Sequence, residues 1–166
     1  MNDMLITPAG LARLEAELER LQTDGRREAA ERLREAATSE ADLSASADYH
    51  AAREEKERLE ARIVRLRQRL AATRVAEPDA ANGVLDLGER VRLRDLDTGV
   101  RVEYEVVGTF ETDLPAGRIS AASPLGQALL GLRRGQVALV DTPSGVRRFK
   151  VLAIEPAGAQ PLVASA

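Results

Sequence analysis

Two long stretches with apolar residues at intervals of three and four flank nine residues, Asp42 to His50, and this layout leaves few folds open. In the first stretch Leu11, Leu14, Leu18 and Leu21 form a seam, and Gly25 falls where the next seam residue belongs. Ala29, Leu33, Ala36 and Ala37 resume the stripe in a shifted frame, as a stutter produces. The second stretch reads Tyr49, Ala52, Lys56, Leu59, Ile63, Leu66 and Leu70, a heptad seam interrupted only by Lys56. Thr7 offers a hydroxyl to cap free amides and Pro8 suits the first helical position, so the first helix is expected from there to about Ser39. The second is expected from near Ala47. A short polar connection folds two such helices back on each other, and arms of roughly 30 residues reach about 45 Å at 1.5 Å per residue. That is longer than a small core needs, so the projection itself is read as functional, against the plainer reading of a spacer or dimerisation element.

The connection is chemically distinct from its flanks. No Lys or Arg occurs from Glu35 to Ala52, whereas Glu35, Glu40, Asp42 and Asp48 all do. An acidic tip on a helical hairpin is suited to bringing negative charge into a basic or metal-containing cavity.

Composition narrows the chemistry. With no cysteine and a single histidine in 166 residues, disulfides, thiol catalysis and a multi-histidine metal site within one chain are excluded. The formal charge is −3, and residues 1–76 hold 14 Lys or Arg against 15 Asp or Glu, so bulk attraction to a polynucleotide is not expected. Aromatic residues make up 2%, namely Tyr49, Tyr104, Phe110 and Phe149, too few for a row of rings that stacks bases. A protein partner is the better expectation. Neither an export signal nor a run of 18 apolar residues is present, so the expected location is cytoplasmic, with no membrane partner.

Glu77-Pro78-Asp79-Ala80-Ala81-Asn82-Gly83 reads as a linker, since proline and Asn-Gly stop a helix and start a turn. Beyond it the period switches to two. Arg90 to Leu96 and Arg101 to Val107 alternate apolar and charged residues and read as half-exposed strands joined by a turn at Asp97-Thr98-Gly99. Gln136 to Asp141 and Val146 to Ile154 read as two more, joined at Thr142-Pro143-Ser144-Gly145. One short helix, capped by Ser123 with Pro124 at its first position, lies between the pairs. The expected fold class is α+β: residues 1–76 a coiled-coil hairpin with an acidic tip near 40–48, 77–83 a linker, 84–156 a small antiparallel β-sheet domain, and 157–166 a disordered tail.

Several segments carry a family resemblance in collinear order over nearly the whole length: Thr7-Pro8-Ala9-Gly10 with Leu14 and Leu18, Asp42-Leu43, Tyr49-His50-Ala51-Ala52-Arg53-Glu54, Ile119-Ser120, and Ser123-Pro124-Leu125-Gly126-Gln127-Ala128-Leu129. The chain resembles the Gre factors, bacterial transcript-cleavage proteins that bind RNA polymerase and insert a coiled coil through its secondary channel. The resemblance implies an antiparallel coiled coil followed by a domain similar to FK506-binding proteins, and a monomer that acts on the polymerase and is not itself an enzyme. It also implies a mechanism in which two tip carboxylates help hold a second Mg²⁺ in the polymerase active centre and orient a water that cleaves backtracked RNA. The chain has no cofactor of its own in that scheme and holds no metal alone.

The tip departs from the family pattern Asp-Leu-x-Glu-Asn-x-Glu-Tyr-His. Here Asp42, Leu43 and Ser44 are followed by Ala45 for the glutamate, Ser46 for the asparagine and Asp48 for the second glutamate. A hard dication is gripped through one or two carboxylates, and alanine offers none. Asp42 is therefore the expected contact to the polymerase-bound metal, with Glu40 and Asp48 as lesser substitutes; Asp48 also suits the positive end of the second helix. The resemblance assigns Tyr49 and Arg53 to RNA 3′-end or channel contact, with seam packing and a solvated helix position as their plainer readings. His50 beside Tyr49 is read as packing in preference to proton transfer. Thr38 stands where the family often has arginine, and Arg32 and Arg34 are candidates to compensate. Ser123, Pro124 and Leu125 match the motif that docks on the channel rim, although capping alone accounts for the first two, and Ala122 replaces a polar residue there. The expected function is a cleavage-deficient, inhibitory or competitive regulator; the alternatives are an active elongation factor that stimulates cleavage, a coiled-coil adapter, and a prolyl isomerase, the last opposed by the scarcity of aromatic residues.

Overall fold

The computed structural model describes residues 4–38, 47–79 and 81–156. The chain divides into two compact units, Leu11–Thr73 and a second one that joins the described residues of 1–10 to those from Arg74 onward. The sequence boundary near 76 thus differs from the structural one: the segment ahead of the first helix belongs with the C-terminal domain.

The helical unit consists of α1 (Pro8–Arg20), a π-helical turn (Leu21–Gly25), α2 (Arg26–Thr38) and α3 (Ala47–Ala71), with the first turn of α1 grouped in the other unit. The frame shift expected at Gly25 is absorbed by the π-helical turn, which inserts a residue into the ladder so that Leu21 at its start and Ala29 beyond it are both buried. Leu21, Ile63 and Leu66 form the buried cluster, with Leu14, Leu18 and Leu59 packed against it. Lys56, the polar interruption of the seam, is exposed. Arg26 donates to both carboxylate oxygens of Glu60 at 2.8 Å, and Arg62 pairs with Glu17. These exposed interhelical pairs set register more than stability.

In the other unit, β1 (Met4–Ile6) pairs with β2 (Thr73–Val75). The main sheet has the order β5-β4-β3-β7-β6, from β3 (Arg90–Asp95), β4 (Arg101–Val107), β5 (Arg118–Ser120), β6 (Val137–Thr142) and β7 (Gly145–Glu155). Four of the five strands lie where the alternation predicts them. The short β5 was not foreseen, and it runs parallel to β4, so the sheet is mixed where a purely antiparallel one was expected. Three residues are too few for a visible period. The inner face carries Val91, Leu93, Val106, Phe149 and Val151 against Leu129 of α4 (Pro124–Leu129), forming the core of this unit. The expected linker is ordered in its described part: Asn82 donates to Asp86 at 2.9 Å and accepts from the Val84 amide at 2.7 Å. No helix among the described residues is long and apolar enough to cross a membrane.

A buried carboxylate shapes the β3–β4 turn. Burial alone would raise the Asp95 pKa, but Asp95 accepts from the Asp97 and Thr98 amides at 2.8 and 3.1 Å and from Arg147, and these bonds hold it down at about 2. A depressed folded-state pKa contributes stability that is complete above the unfolded value and fades as pH falls through the folded one. The C-terminal unit should therefore lose stability between about pH 4 and pH 2, and Asp95→Asn should be less stable at neutral pH but flatter across that window. Equal acid slopes for the two proteins in urea titrations followed by circular dichroism would contradict this.

Candidate functional site

The described part of the hairpin end is built on the first two turns of α3. Asp48 stands in the first turn and is exposed, where its charge favours the positive end of the helix. Tyr49 is half-buried and His50 exposed, their rings meeting edge to face at 6.1 Å, so His50 packs on Tyr49 from the solvent side of the helix. Asp42, the expected metal contact, and Glu40, one of its two lesser substitutes, lie outside the described residues, as do Ala45 and Ser46.

Two open grooves run between α2 and α3. One, of about 430 Å³, is lined by Arg32, Glu35, Ala36, Asp48, Ala52 and Glu55, and Arg32 pairs with Glu55 across it. Arg32 thus has an exposed partner within the hairpin, whereas Arg34 forms no ion pair among the described residues. The second, of about 410 Å³, is lined by Leu33, Tyr49, Arg53, Lys56, Glu57 and Glu60. Tyr49 and Arg53 are one helical turn apart and share this groove, while Asp48 faces the other. Arg53 is exposed and donates to Glu57 at 3.2 Å, a pair weak enough to exchange for another anion. Among the described residues no group of three or more His, Asp or Glu side chains is placed to hold a metal ion.

In the C-terminal unit, Ser123 caps α4: its hydroxyl accepts from the Gly126 amide at 3.0 Å and donates to the Ser120 carbonyl at 2.6 Å. Pro124 occupies the first turn and is exposed, and Leu125 is half-buried against the core. A Cβ at Gly126 would lie 2.1 Å from the Ser120 oxygen, so the loop crosses the helix at van der Waals distance only because glycine is there. The cap thus fixes the shape of the Ser120–Leu125 loop and leaves Pro124 facing solvent.

Comparison with known proteins places these features in a family. A model described as Transcription elongation factor, GreA/GreB, C-term matches residues 80–156, and one described as Transcription elongation factor, N-terminal matches residues 4–75. The chain belongs to the GreA/GreB transcription elongation factor family. It is 40% identical over 157 residues to transcription elongation factor GreA of Ralstonia nicotianae, covering 93% of this chain and 99% of the relative. It is 42% identical to the GreA of Syntrophobacter fumaroxidans, covering 90% and 96%. Among solved structures, GreA factor homolog 1 of Thermus thermophilus is 38% identical over 93% of this chain and 99% of that one, with a TM-score of 0.41.

Within this Gre-family chain, one residue that sequence reasoning passed over organises the motif Thr7-Pro8-Ala9-Gly10. Glu111 is buried and accepts from the Thr7 amide at 2.9 Å, from the Thr7 hydroxyl and from the Gly108 amide at 3.1 Å. The Thr7 hydroxyl in turn accepts from the Gly10 amide at 2.9 Å, the cap expected from sequence. A Cβ on Gly10 would fall 1.8 Å from a Glu111 carboxylate oxygen. Read alone, the motif explains only a helix start; its glycine, unfavourable in a first helical turn, was the signal that something large packs there.

Proposed function

We propose that this chain is a regulator of bacterial RNA polymerase that occupies the secondary channel with its helical hairpin and does not stimulate transcript cleavage. The observation that carries the reading is Ala45, which stands where the Gre tip pattern has a glutamate, in a segment that otherwise keeps Asp42-Leu43 and Tyr49-His50. The polymerase's own Mg²⁺ supplies Lewis-acid stabilisation in cleavage. Toward it this chain offers Asp42, with Glu40 and Asp48 nearby in sequence, and lacks the partner carboxylate. Neutral Ser44 and Ser46 oxygens are poor replacements for a hard dication.

In this reading Ser123, Pro124 and Leu125 dock on the channel rim, and the ordered loop with Pro124 exposed supports that role. Tyr49 and Arg53, in one groove, meet the RNA 3′ end or the channel wall. The factor acts as a cytoplasmic monomer on the polymerase, not as an independent enzyme, and hinders nucleotide entry or competes with cleavage-active relatives.

Stalled, backtracked elongation complexes of the cognate polymerase test it. The native chain should leave RNA cleavage at its intrinsic rate while slowing nucleotide addition. Ala45→Glu should raise cleavage at least about tenfold, the rate equivalent of about 1.4 kcal/mol of transition-state stabilisation. Cleavage accelerated by the native chain would make it an active elongation factor, as its relatives are named. Failure to bind polymerase at all would return it to the coiled-coil adapters.

A further inference from the structure

The outer face of the main sheet carries an arrangement that folding alone does not favour. Arg94 pairs in register with Lys150 on one side and with Arg101 on the other, so three cations stand side by side across β7, β3 and β4. Lys150 in turn faces Val137 on β6. Like charges directly opposite each other weaken a sheet. Neighbouring arginines on this sheet are neutralised: Arg90 and Arg92 lie 3.4 and 3.8 Å from Glu103, Arg92 also pairs with Glu155, and Arg148 donates to Asp97 at 2.7 Å. Among the described residues Arg94, Arg101 and Lys150 form no ion pair, and all three are exposed. The same face exposes Val137, Leu139 and Val146 beside the cations.

We propose that the row Arg101–Arg94–Lys150–Val137 is a docking surface for an extended acidic protein segment. Strands lie about 4.8 Å apart, so the row places its cations at roughly 0, 5 and 10 Å and its valine near 14 Å. An extended peptide crossing the strands presents same-face side chains about every 6.7 Å. Two carboxylates at alternate positions then fall among the three cations, and the next same-face residue lands on Val137 and favours an apolar side chain. The segment that fits reads Glu-x-Glu-x-Leu. A nucleic acid fits worse: three cations give a single strand a salt slope of only about −2, no aromatic ring lies in the row, and the apolar flank finds no complement in a phosphate backbone.

The full-length protein, labelled with ¹⁵N, is titrated with the peptide Ser-Glu-Ser-Glu-Ser-Leu-Ser. Amide shifts should centre on Arg94, Arg101, Lys150 and Val137, with a dissociation constant below about 1 mM at low salt. Replacing both glutamates by glutamine, or using Arg94→Glu with Arg101→Glu, should weaken binding at least fivefold. Arg94→Glu alone should also raise the melting temperature by about 2 °C, because it puts a carboxylate between two cations; a residue kept for folding would lower it. Charge-independent binding, shifts centred elsewhere, or a fall in melting temperature would overturn the proposal. So would tighter binding of a single-stranded RNA 20-mer, or self-association in sedimentation that Arg94→Glu abolishes, since each assigns the row to another occupant.

Discussion

Glu111→Ala should destabilise the C-terminal unit by about 3 kcal/mol or more and release Met4–Ile6 from it. The carboxylate serves as acceptor for the Thr7 amide, the Thr7 hydroxyl and the Gly108 amide, and Thr7 is 2% exposed. Buried donors left without an acceptor each cost about 1–3 kcal/mol, and water has little access to replace the lost oxygens. The sum is discounted because the freed strand relaxes and regains some hydration. Glu111→Gln keeps one acceptor oxygen and should fall between the native chain and the alanine variant. Gly10→Ala should match the alanine variant without altering Glu111, because the new Cβ lands on the carboxylate. Hydrogen exchange at Thr7 and Gly108 reads the local effect, and urea unfolding the global one. Native-like protection at both amides in Glu111→Ala would show that the carboxylate is not what holds this strand.

Ile63→Ala should be the most damaging single change in the helical unit. Ile63 is fully buried, and among the described residues only Leu21 and Leu66 accompany it in the buried cluster, with Leu14, Leu18 and Leu59 packed against it. Truncating a buried isoleucine costs about 2–5 kcal/mol, and the thin core around it has few neighbours that can collapse into the gap. At about 3 kcal/mol a unit of this size should melt on the order of 15 °C lower. Glu60→Ala is the contrast: it removes the bidentate partner of Arg26, but in solvent, and should shift stability by less than about 1 kcal/mol. Comparable losses for the two variants would mean that the hairpin is held by its surface charges and not by its seam.

The second result bears on the proposed function through rigidity. A hairpin that carries reactive or blocking groups at its end delivers them accurately only if its seam does not fray. The thin core leaves little reserve for further polar substitutions along the seam than the one already present at Lys56.

The sequence by itself determined the elements with strong periods and defined ends. Heptad spacing identified α1 through α3, Thr7 and Ser123 marked two helix starts, and alternation located β3, β4, β6 and β7, because each signal is local and repeated. Set beside the tip pattern that the chain resembles, it also shows Ala45 where that pattern has a glutamate. Only the tertiary structure decided what depends on distant partners. Thr7 and Glu111 are separated by 104 positions, and no local pattern links them. The parallel pairing of β5 with β4 and the alignment of Arg101, Arg94 and Lys150 on one row likewise follow from register between segments. Register is set by which faces must be buried together, and that information exists only once the chain has folded.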